Sequence, residues 1–90
     1  MDKVKRLVKA GSTITGAIQD VLRQQGFPTV TAFADRYSRD RSNMTRVILG
    51  TRAPAQADVD ALIAELGGTD LEWRQLLHEA GRPMNTKAAV

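Results

Sequence analysis

Between Thr29 and Pro54 the chain reads T-V-T-A-F-A-D-R-Y-S-R-D-R-S-N-M-T-R-V-I-L-G-T-R-A-P, and no other stretch constrains the fold as tightly. Apolar residues recur at helical spacing on both sides of a short polar break. The first run predicts a helix over about Val30 to Tyr37, with Phe33, Ala34 and Tyr37 on one face and Thr29 as its N-cap. The second predicts a helix from Asp40 to Leu49. The Asp40 carboxylate can accept from the orphan N–H groups of the first turn and oppose the positive end of the helix dipole, and Gly50 supplies the stop. Met44, Val47 and Ile48 fall at i, i+3, i+4 and face inward, which leaves Arg41, Ser42, Asn43, Thr45 and Arg46 pointing out.

A solvated helix face usually mixes Glu and Lys. This one carries two Arg, an Asn and two hydroxyls, with no acid after the cap. Arg can bond guanine in a bidentate manner, Asn can do the same to adenine, and Ser or Thr can serve either a base or a phosphate. A merely basic solvated face is the plainer reading of the same residues.

The spacing resembles the helix-turn-helix of the phage-repressor-like family, also called the XRE or lambda-repressor-like family. The pattern runs through Ala34 in the middle of the motif's first helix, Tyr37 three later, the cap Asp40, apolar Met44 and Val47, the closing Gly50, and Pro54 opening the next segment. Two positions depart from it. Ser38 stands where the family usually has glycine in the turn, and Ile48 and Leu49 stand where a glutamate often precedes the closing glycine. A non-glycine residue at positive φ costs about 1 kcal/mol, which a packed domain tolerates. The resemblance implies duplex-DNA binding with the 40–49 helix in the major groove. It implies base contacts by Arg41, Ser42 and Arg46, with Asn43 and Thr45 flanking, and phosphate contacts by Thr29, Arg39, Thr51 and Arg52. The alternative for Thr51 and Arg52 is an ordinary polar loop.

Charge is unevenly placed along the 90 residues. From Met1 to Arg52 there are ten basic and four acidic side chains, a net +6; from Ala53 to Val90 there are three and six, a net −3. A cationic half favours an anionic partner, and Lys and Arg contacts to phosphate release counterions from DNA. Head-to-tail association with an acidic protein would use the same asymmetry.

The remaining segments read as follows. Residues 1–13 form a basic leader with Lys3, Lys5, Arg6 and Lys9. It is expected to be an amphipathic turn or two that packs Val4, Leu7 and Val8, or a mobile arm whose Lys3, Lys5 and Arg6 reach DNA, or a frayed terminus. A helix from about Thr15 to Gln25, capped near Ser12 or Thr13 and stopped by Gly26, buries Ile14, Ile18, Val21 and Leu22. Phe27 plugs the core. A helix over Gln56 to Leu66 buries Val59, Leu62, Ile63 and Leu66 and is expected to leave Asp58, Asp60 and Glu65 in solvent. The last helix opens at the capping box Thr69-Asp70-Leu71-Glu72, runs to Ala80, and stops at Gly81 and Pro83. Its apolar surface is wider than one face needs. Trp73, Leu76 and Leu77 are therefore candidates for a dimer interface, with completion of the core as the other role for Trp73. The tail from 82 to 90 is expected to be disordered.

Composition narrows the function. With 42% hydrophobic residues but only one Trp, one Tyr and two Phe, the core must be mostly aliphatic, which suits a small helical bundle. There is no cysteine, hence no disulfide, thiolate ligand or thiol nucleophile. No apolar run approaches the roughly 20 residues of a membrane span, and a cytoplasmic location is expected. His78 has no second ligand at i+4, and no hydroxyl has a recognisable base partner, so neither an enzyme nor a metal or other cofactor is expected. The sequence thus predicts an all-α bundle of five helices over 14–81 that contains the helix-turn-helix. The expected function is that of a homodimeric repressor or autoregulator reading an inverted repeat. The rival from another class is an antitoxin-like or anti-activator module that binds a protein partner.

Overall fold

The computed structural model describes residues 1–82, and within them the chain forms six helices joined by short connections. These are α1 (Asp2–Lys9), α2 (Ile14–Gln24), α3 (Val30–Arg36), α4 (Arg41–Leu49), α5 (Gln56–Leu66) and α6 (Asp70–Ala80). Among the described residues there is no strand. The helix beyond the five expected is α1: the basic leader is a folded element rather than an extended arm. Its Val4 is fully buried, Leu7 and Val8 pack at the core's edge, and the helix lies on α2. The tail expected at 82–90 lies outside the described residues except for Arg82, as does the stop signal at Pro83.

The helix starts are set by side-chain acceptors. Thr13 accepts from the Gly16 N–H at 3.0 Å, Thr29 from Ala32 at 3.2 Å, and Asp40 from Asn43 at 2.7 Å. Thr69 and Glu72 form the reciprocal box at the start of α6, with distances of 3.2 and 3.0 Å. At α5 only half of such a box exists, because Ala55 has no side-chain acceptor. There the Asp58 carboxylate accepts from the Ala55 N–H at 2.9 Å.

The core is aliphatic with two large aromatic members. Ile18, Leu22, Phe33, Met44, Val47, Ile48, Val59 and Leu62 are essentially inaccessible to solvent. Phe33 stacks edge-on to Phe27 at 5.7 Å and tilted to Tyr37 at 5.2 Å, so Phe27 does plug the core. Trp73 is fully buried and Leu77 nearly so, and the Trp73 indole N–H donates to the Gly67 carbonyl at 2.7 Å. Both residues complete the core rather than face a second subunit, and Leu76 is partly buried against them. This corrects the dimer-interface assignment for Trp73 and Leu77, while Leu76 keeps part of its surface in solvent. Asp58 corrects another: expected in solvent, it is fully buried.

Two glycines weld α4 to α6. Gly50 closes α4 in the left-handed region at φ 82°. A Cβ placed there would lie 2.2 Å from the Gly81 nitrogen, and a Cβ on Gly81 would lie 2.1 Å from the Gly50 carbonyl oxygen. Gly81 has an ordinary φ of −82°, so it is required for space and not for backbone freedom. The Thr15 hydroxyl adds a third tie, donating to the Ile48 carbonyl at 2.8 Å. The C-terminal end of α4 is therefore fixed against both α2 and α6.

Candidate nucleic-acid interface

The candidate surface is the outward side of α4 with the turns before and after it. α3 and α4 pack on each other across Tyr37–Asp40, and Ser38 takes φ 55° in that turn, the residue and the conformation anticipated from the sequence. Two hydrogen bonds stabilise the reversal: the Arg39 N–H donates to the Ala34 carbonyl at 2.8 Å and the Ser38 N–H to Asp35 at 3.1 Å. Met44, Val47 and Ile48 face the core as expected, which aims the other side of the helix at solvent.

The five expected base-reading residues do not share one environment. Arg41, Ser42 and Arg46 are exposed. Among the described residues the Ser42 hydroxyl and the Arg46 guanidinium have no hydrogen-bond partner. Arg41 is held by Asp35 of α3 through Nε to Oδ1 and Nη2 to Oδ2, both at 2.8 Å. The hydrogen bonds to that carboxylate, and then its charge, raise the Arg41 pKa above its already high ordinary value. Thr45 is half-buried and its hydroxyl folds back to donate to the Arg41 carbonyl at 2.9 Å.

Asn43 turns inward. Its Nδ2 donates to Asp58 Oδ2 at 3.3 Å, while its Oδ1 is buried without a partner among the described residues. The opposite amide orientation would set the oxygen against a carboxylate, so the orientation with Nδ2 toward Asp58 is preferred. A flanking role for Asn43 at the DNA is therefore replaced by a structural one.

Asp58 is the hub of that structural role. Its Oδ1 accepts from Arg39 Nε at 2.7 Å, and its Oδ2 accepts from Asn43 and from the Ala55 N–H. A fully buried carboxylate is tolerable only with its oxygens satisfied and a counter-charge at hand, and here all three donors converge on it. The clasp ties the α3–α4 turn and α4 to the start of α5. Arg39, expected at a phosphate, is thus committed to Asp58, with its side chain 28% exposed.

Of the other expected phosphate contacts, Thr29 is engaged as the α3 cap and shares its hydroxyl with Thr31 at 2.9 Å. The Thr51 hydroxyl donates to the Arg46 carbonyl at 3.3 Å, which fixes the chain leaving α4. Arg52 is exposed with no partner among the described residues. Lys3 and Arg6 are exposed on α1, whereas Lys5 pairs with Glu72 of α6, so the three do not form a free arm. The residues that sequence reasoning missed are Asp35 and Asp58. Asp58 sits three residues after the α5 cap, a position where an acid commonly reaches back to the cap N–H, and that was its available signal. Asp35 reaches Arg41 across a turn and leaves no periodic trace.

Compared with protein-family models, with curated proteins and with solved structures, the chain finds no match.

Proposed function

We propose that this protein is a sequence-specific duplex-DNA-binding regulator of the phage-repressor-like helix-turn-helix class. In this reading α3, the Tyr37–Asp40 turn and α4 are the helix-turn-helix, and α4 lies in the major groove. One observation carries it: α4 is anchored on every side except the one that presents Arg41, Ser42 and Arg46, and two of those three have no partner within the described fold. The carboxylates of the α3–α4 unit each have a role in the fold, Asp40 as the cap of α4 and Asp35 as the partner of Arg41. Arg46 reads a base edge, Ser42 serves base or phosphate, and Arg52 positions the domain on the backbone without reading sequence. A single helix of this length reads few base pairs. Specific affinity therefore calls for two copies on half-sites about one helical turn apart, acting as a repressor or autoregulator.

Selection from a random duplex library tests this. The expected result is enrichment of a short inverted repeat whose affinity falls steeply with salt. Weak, sequence-blind binding would overturn the reading and point instead to a protein partner.

A further inference from the structure

The geometry points to Asp35 as a specificity-determining residue that fixes Arg41 to read guanine; this rests on the DNA-binding reading above. The Asp35 carboxylate takes one edge of the guanidinium, Nε and Nη2, with two parallel bonds of 2.8 Å. The outer edge, Nη1 with the second proton of Nη2, stays available and has the paired-donor geometry that matches guanine O6 and N7. Arg41 is also the first residue of α4, where a cation is disfavoured by the helix dipole, so a neighbouring carboxylate offsets an unfavourable charge. Asp35 is anchored on α3, six residues earlier, and α3 is fixed by its buried Val30, Phe33 and Ala34. The clamp therefore holds the arginine from a rigid element. It has a second consequence. A guanidinium paired with a carboxylate is a poor phosphate ligand, so Arg41 contributes base discrimination more than sequence-blind affinity.

Asp35→Asn, Arg41→Ala and the double variant, each checked for an unchanged melting temperature, test the clamp on the duplexes that the unaltered protein enriches. The unaltered protein is expected to prefer guanine at one position of each half-site by at least about fivefold, and Arg41→Ala to abolish that preference there alone. Asp35→Asn is expected to cut the same preference at least about threefold. It also frees Arg41 for a phosphate, steepening the slope of log affinity against log salt by about 1. In the Arg41→Ala background it should change neither quantity. A purely structural Asp35 would shift affinity at all positions together. Enrichment by the unaltered protein with preference and salt slope unchanged in Asp35→Asn overturns the clamp while leaving the DNA reading intact. No enrichment by the unaltered protein overturns both.

Discussion

α4 and α6 are built alike and deploy their polar side chains in opposite ways. Each starts at an oxygen cap, Asp40 or Thr69, each ends on a glycine, and the two glycines touch. On the first turns of α6 the charges of Asp70, Glu72 and Arg74 are answered within the protein, and only Glu79 near its end stands exposed without a side-chain partner among the described residues. Asp70 accepts from Gln56 at 2.7 Å and from Arg74 at 2.6 Å, Arg74 also donates to Gln56 at 2.9 Å, and Glu72 pairs with Lys5. On α4 the Ser42 hydroxyl and the Arg46 guanidinium are answered by nothing among the described residues, and Arg41 only by Asp35. A helix whose polar face closes on its own neighbours serves the fold. One that is equally well anchored but holds its donors toward solvent is suited to a foreign acceptor.

The contrast can be broken most forcefully at Trp73. If α6 is structural, Trp73→Ala removes a fully buried indole and should cost about 4 kcal/mol, most of the stability of a domain this small. Thermal unfolding should register that loss with no dependence on protein concentration. Asp58→Ala comes next, at about 3 kcal/mol, because it leaves Arg39 without its counter-charge and orphans the Ala55 N–H. Denaturant midpoints would measure it. Gly81→Ala, harmless by backbone conformation, should still cost about 2 kcal/mol because the new Cβ meets the Gly50 carbonyl. Arg46→Ala should move stability by no more than about 0.5 kcal/mol.

The smallest effect concerns pH. Lys5, and then the Thr69 hydroxyl and N–H, hold Glu72 below the ordinary glutamate range, as Gln56 and then Arg74 hold Asp70 below the aspartate range. A carboxylate with a depressed folded-state pKa contributes stability above its unfolded value, and that contribution is lost as pH falls through the folded value. Melting temperature should therefore decline as pH drops below the ordinary carboxylate range, and Glu72→Gln should flatten that decline slightly. Both carboxylates keep a good part of their surface in solvent, so screening by water and salt keeps the effect small.

Most of the helical framework was legible because its signals are local. Thr13, Thr29, Asp40 and Thr69 cap the helices they were expected to cap, and Gln56–Leu66 has the predicted ends. What was not legible depends on contacts distant in sequence. Asp58 shares a face with Leu62 four residues on, but its charge argued for solvent. Its burial becomes tolerable once Arg39 and Asn43, distant along the chain, join the local Ala55 N–H as donors to it. Trp73 was open between core and interface until Gly67 supplied a partner for its indole N–H. The leader's helix lies on α2 with Val4 buried, a tertiary contact that a short segment does not reveal by itself. In the candidate site, Arg41, Ser42 and Arg46 point outward as their spacing required. Asn43 and Arg39 were drawn inward by a carboxylate whose position the sequence did not disclose.

In the proposed function the outward side of α4 reads DNA while the rest of the bundle holds it in place. Fluorescence-anisotropy titration of the enriched duplex with unaltered protein and with Arg46→Ala, alongside their melting temperatures, tests it most directly. Arg46→Ala is expected to lose about 5- to 150-fold in affinity, the equivalent of one good base contact, with the melting temperature unchanged. Equal affinity of the two proteins for that duplex would contradict it.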